Sequence, residues 1–159
     1  MRLTNGAVWG LVVGLVVGVV QGVLGYLAIM SIKDEFIEFV KKTVVEAGYD
    51  PEVAEAVVNY TVSQLPISTI GRLALFNILH FLVMGVVMAV VWDRLRLPWL
   101  AKGVIFAVVL TAVVSLPRLL LQPPPGAPTP PLLYEVLGVV VFFLGVVALA
   151  GVLHLRGRV

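Results

Sequence analysis

The chain has 159 residues, of which 60% are hydrophobic and only 13% charged, and its mean hydropathy is +1.08. A soluble domain carries about 25% charged residues, so this composition excludes an ordinary soluble fold and predicts an all-α integral membrane protein. The net charge of +2 lies on residues flanking apolar runs, which argues against nucleic acid as a partner. The lack of cysteine removes disulfides, thiolate metal sites and cysteine nucleophiles.

The first apolar run, about Ala7 to Met30, carries a glycine-zipper pattern at Gly6, Gly10, Gly14, Gly18 and Gly22. In water each interior glycine would cost a helix about 1 kcal/mol against alanine. In lipid the helix is the only way for such a segment to satisfy its own backbone. The run is therefore predicted to be a transmembrane helix with a ridge almost free of side chains, a helix-packing interface that lets another backbone come close. Steps of four advance about 40° around the helix, so one straight partner would use part of the ridge and two would use all of it. That geometry predicts a homo-oligomer, a dimer being favoured. A single Arg2 before the run imitates a signal peptide, but the uncharged stretch from Leu3 to Ile32 is too long and lacks a small-x-small site, so it reads as a retained span.

Residues 31–69 are predicted to form a short extracellular helical hairpin. Ser31 and Asp34 have capping-box spacing, Phe36, Val40 and Val44 form an apolar stripe, and Gly48 can end the first helix. Asp50, Pro51 and Glu52 then read as N-cap, N1 proline and acidic first turn. The second helix is expected to run to about Gln64 and stop before Pro66. The apolar faces of the pair must cover each other, the ends of the spans, a partner or lipid headgroups. Asn59-Tyr60-Thr61 matches a glycosylation sequon but falls in a predicted helix, a poor acceptor site.

Three more apolar runs follow, about Ile70 to Trp92, Leu100 to Leu121 and Leu133 to Leu153, giving four spans of roughly the 20 residues a bilayer requires. Trp9, Tyr26, Trp92, Trp99 and Tyr134 lie near their ends, as interfacial anchors do. Spans 2 and 3, within residues 70–121, are joined by a short basic loop. Spans 3 and 4 are joined by 122–132, where Gln122 to Pro131 holds six prolines and should be an extended spacer. Arg2, Arg94, Arg96, Lys102, Arg156 and Arg158 stand against one acid, Asp93, on one side of the spans. The positive-inside rule then puts both termini in the cytoplasm and the protein in the cell membrane.

An internal repeat is also legible: Asn5 to Val12 resembles Lys102 to Val109 in residue type, and Gly85 to Arg96 matches Gly145 to Arg156 in spacing. These matches read as two parallel-repeated helical hairpins, although Val/Leu/Gly-rich sequence makes such matches easy.

Polar groups inside spans are expensive and mark function. Gln21, Asn77, His80, Arg118 and Glu135 fall in the outer part of the four predicted spans, and Ser115 continues the third span inward from them. Asn77 and His80 are three apart on one helix, and Arg118 and Glu135 face one another across the proline loop. Together they suggest an outward-facing ligand or transport site, and a small transport or channel component as the leading function. The competing reading makes Gln21, Asn77 and His80 interhelical hydrogen-bond glue and lets Arg118 and Glu135 snorkel to headgroups, in a structural or accessory subunit that docks a partner through its outer hairpin and glycine ridge. His80, Met84 and Met88 are four apart and would suit only a soft metal ion, but they read more simply as packing residues, so no metal is assigned. No catalytic motif occurs and no cofactor is expected; the expected partners are the bilayer and a second copy or another membrane protein.

Overall fold

The computed structural model describes residues 3–120 and 125–156, with the backbone alone over 115–120. Every regular element among the described residues is an α-helix: α1 (Leu3–Met30), α2 (Lys33–Glu46), α3 (Pro51–Val91), α4 (Trp99–Leu120) and α5 (Leu132–Arg156). By length and composition α1, α3 and α5 can each cross a membrane, and these three mark a membrane protein; the described apolar stretch of α4 is shorter, Trp99–Val114.

The chain turns from α1 into α2 within two residues, and this changes the role of Ser31. Its hydroxyl donates to the Ala28 carbonyl at 2.7 Å, serving the end of α1 instead of capping α2. The N-cap of α2 is Ile32, which makes no side-chain cap bond. At the other end Gly48, with φ +90°, closes α2: its N–H donates to Val45 and that of Tyr49 to Val44, the paired bonds of a Schellman motif. Asp50 caps α3 by accepting from the Glu52 N–H at 3.1 Å, with Pro51 at N1.

The expected break before Pro66 does not occur, because α3 is one helix of 41 residues. Pro66 removes the donor that would serve the Val62 carbonyl, but Ala54 and Val58 before it and Leu65 and Thr69 around it are buried along one side of the rod. Packing on both flanks of the proline outweighs the single lost bond. At 1.5 Å per residue α3 is about 60 Å long, twice the hydrocarbon thickness of a bilayer. The stretch from Arg72 to Trp92 alone covers about 30 Å, so the first half of α3 extends beyond it as an arm. The arm is paired with α2, with Lys41 and Glu55 3.2 Å apart across the pair. On the other side of α2, Pro125, Gly126 and Pro128 of the proline segment border Phe39 and Lys42.

In the bundle α3 lies on α1, α1 on α5 and α5 on α4. The α1–α3 seam is antiparallel and unusually close. Gly6 meets Gly85, Gly10 meets the Phe81 backbone, and Cβ atoms built at Gly14, Gly18 and Gly22 would lie 2.7 Å from Asn77 O, 2.6 Å from Ala74 Cα and 2.7 Å from Ile70 Cα. All five ridge glycines thus face one helix of the same chain. One partner suffices because α3 supplies its own small or turned-away positions at the same four-residue step, so the two rows drift together. The ridge therefore gives no reason to invoke a second copy.

The hydrophobic core, with Phe81, Met84, Met88, Phe142, Val146 and Leu149, fills the end of the bundle nearest the α3–α4 turn. Three tryptophans gather there. Trp99 stacks on His154 at 5.9 Å and Trp9 lies 5.5 Å from the Arg156 guanidinium. Lys102, only 8% exposed, donates to the Trp92 carbonyl at 2.6 Å and lies over the same residue's ring. That carbonyl is an orphan acceptor at the negative end of α3, a favourable place for a cation.

The contacts do not repeat between the two halves. Gly85 meets Gly6, whereas the matching Gly145 meets Val17 and Phe81, and Gly103 meets Ala150.

Candidate functional site

Two carboxamides link three helices near the arm end of the bundle. Gln21 of α1 donates from Nε2 to the Gly138 carbonyl of α5 at 2.6 Å. Asn77 of α3 donates from Nδ2 to Gln21 Oε1 at 2.9 Å and to the Leu73 carbonyl at 2.8 Å. A helix carbonyl has a second lone pair, and at Gly138 no side chain obstructs it. Asn77 is fully buried, and its Oδ1 has no hydrogen-bond partner among the described residues. An unpaired buried acceptor costs about 1–3 kcal/mol. Chemically the group is a neutral hydrogen-bond relay with no nucleophile and no titrating member.

Beside it lies a cavity of about 150 Å³ between α1, α3 and the start of α5, lined by Gln21, Gly25, Leu73, Tyr134, Glu135 and Gly138. Glu135 is exposed in the first turn of α5, where the helix dipole favours a carboxylate. Of the six polar residues singled out in the sequence, the structure therefore gathers Gln21, Asn77 and Glu135 around one region. Ser115 and Arg118 lie outside the residues whose side chains are described.

His80 goes elsewhere. Three residues place two side chains about 60° apart on a helix, enough to send Asn77 toward α1 and His80 toward α4. The His80 ring packs on Phe76 with centroids 4.0 Å apart, and Nδ1 is 3.0 Å from the Phe76 carbonyl. Its neighbours are Leu79, Val83, Met84, Phe106 and Leu110, lining an apolar cleft between α3 and α4. Met88 is fully buried in the core. No group of three metal-ligating acids, histidines or cysteines occurs among the described residues.

One surface was missed by reading the sequence. Val53, Val57, Tyr60 and Ile67 are exposed along the arm, Tyr60 by 70% and Ile67 by 73%. They are spaced i, i+4, i+7 and i+14, four of the five positions of a two-heptad coiled-coil seam, the fifth, i+11, being Gln64. The pattern was readable, but only for a helix that continues past Pro66.

Comparison of the chain with protein-family models, with curated proteins and with solved structures gave no match in any of the three. The functional reading therefore rests on this geometry.

Proposed function

We propose that the chain is a non-catalytic docking subunit of a membrane complex. In this reading α1, the second half of α3, α4 and α5 are four spans, with both termini on the cytoplasmic side beside Arg94, Arg96 and Arg156. The arm of α2 and the first half of α3 then stands outside the bilayer. The observation that carries the proposal is the exposed row Val53, Val57, Tyr60 and Ile67. An apolar seam on a helix projecting into water is a surface that a partner helix covers. The carboxamide relay fits the same reading, since it spends Gln21 and Asn77 on joining helices. The test is affinity purification of the tagged chain from its native membranes. A second membrane protein should accompany the wild type and be lost from the Tyr60→Glu, Ile67→Glu double variant; a solitary chain in both preparations overturns the proposal.

The cavity favours a second reading, a small transport or channel component. Among the described lining residues Glu135 alone is charged, so the solute admitted would be small and cationic or rich in hydrogen-bond donors. In proteoliposomes Glu135→Gln should then abolish uptake of such a solute, and unchanged uptake would remove this reading.

A further inference from the structure

We propose that the cleft between α3 and α4 is a lateral binding site for a neutral lipid alcohol, whose hydrocarbon chain lies in the cleft and whose hydroxyl donates to His80 Nε2.

The cleft exists because α3 and α4 diverge from their connecting turn, and among the described residues their backbones make no close approach. It is lined over Leu79 to Val87 on α3 and Phe106 to Val114 on α4, about 12 Å along each helix. Its volume is about 310 Å³. An apolar cavity of about 150 Å³ accepts benzene, so by proportion this one takes about twelve carbon atoms. A cleft of this length and volume has room for an extended hydrocarbon chain.

Among the described lining residues His80 alone has a polar side chain, and it specifies the head of the ligand. A carbonyl can only accept, so the bond to Phe76 fixes the proton on Nδ1 and leaves Nε2 of the neutral ring as an acceptor. Nε2 has no partner among the described residues. His80 lies about 12 Å along α3 from the level of Arg72 and about 18 Å from Trp92, inside the apolar stretch. At that depth a charged head is costly, which disfavours phosphodiesters and fatty-acid carboxylates. A hydroxyl is uncharged, brings the donor that Nε2 lacks, and travels on the hydrocarbon the cleft accommodates.

The test uses the full chain in phosphatidylcholine vesicles with two photoactivatable probes, a diazirine-bearing dodecanol and its methyl ether. Labelled peptides are mapped by mass spectrometry. The alcohol should label the cleft-lining peptides of α3 and α4 several-fold more than the ether. His80→Phe, which keeps the ring against Phe76, should lower alcohol labelling to the ether's level, and Leu110→Trp should remove both. Equal labelling of the wild type by the two probes overturns the proposal without need of any variant, as does labelling confined to other segments. Because the chain has no cysteine, Val83→Cys gives a single thiol in the cleft wall; efficient disulfide linkage of two copies there would assign the cleft to a second copy and also overturn the proposal.

Discussion

The two helix pairs of the bundle are built on different principles. In the α1–α3 pair the backbones touch along five glycines, and the nearest atoms to an added Cβ are carbonyls and Cα atoms that have nowhere to go. In the α4–α5 pair the corresponding approach is Gly103 against the Ala150 side chain, and Gly151 rests on the edge of the Trp99 ring. The first pair is a seam whose geometry is set by the absence of side chains; the second is a conventional side-chain contact, bordered by an open cleft. If any part of the bundle moves, the difference makes α4 the moving element and α1–α3 the frame.

The sharpest way to break this contrast is to add one methyl group to each pair. Gly14→Ala should destabilise the protein by about 1–3 kcal/mol, the usual cost of overfilling a packed interior, because its Cβ would meet the Asn77 carbonyl oxygen at 2.7 Å. Gly14→Leu should abolish the folded state. Gly103→Ala should cost less, since the atom it meets, the Ala150 methyl at 2.9 Å, is a side chain and Gly103 itself sits on α4, which among the described residues packs closely on α5 alone and can shift. Gly71→Ala, with open space around the new atom, should be neutral or mildly stabilising. Unfolding in mixed detergent micelles measures all four, and equal losses at Gly14 and Gly103 would remove the distinction.

A smaller effect is expected where the cleft closes. Lys102→Met keeps much of the buried volume but leaves the Trp92 carbonyl without its donor, a loss of about 1.5 kcal/mol for a charge-assisted bond. It should also loosen α4 from the end of α3, read as faster hydrogen exchange at the start of α4. Smaller again is the coupling between Gln21 and Asn77. A double-mutant cycle with leucine at each position should return about 0.6–1.7 kcal/mol, the range for interhelical hydrogen bonds in membranes. A coupling near zero would make the relay incidental to the frame.

What was legible in the sequence follows the strength of the local signal. Apolar length and the glycine step located α1 and the apolar half of α3, because lipid leaves an apolar chain few alternatives to a helix. The partner of the glycine ridge was not legible, since it depends on α3 offering a complementary row far along the chain, between Ile70 and Gly85. Pro66 misled for the opposite reason: its local penalty is real, but Ala54, Val58, Leu65 and Thr69 bury the helix on both sides of it. Gln21 and Asn77 could be assigned to one level but not to one another. His80 shares a helix face with Asn77 only to within about 60°, and that angle decides between the seam and the cleft.

The smallest predicted effect concerns the arm, and it separates local from global stability. Pro66→Ala restores an N–H for the Val62 carbonyl, worth about 1 kcal/mol net. The same change frees the unfolded chain, which returns about 0.4–1 kcal/mol to the unfolded side. Global stability should therefore shift by only a few tenths of a kcal/mol, while the amides after Pro66 gain protection from hydrogen exchange as the ladder closes. That gain should extend through Ile70 into the apolar half of α3, because Leu65 and Thr69 bind both halves into one rod. Protection confined to the residues before Pro66 would mean that the arm and the span open separately, and a partner held on Tyr60 and Ile67 would then be coupled to the bundle by a hinge instead of a rigid helix.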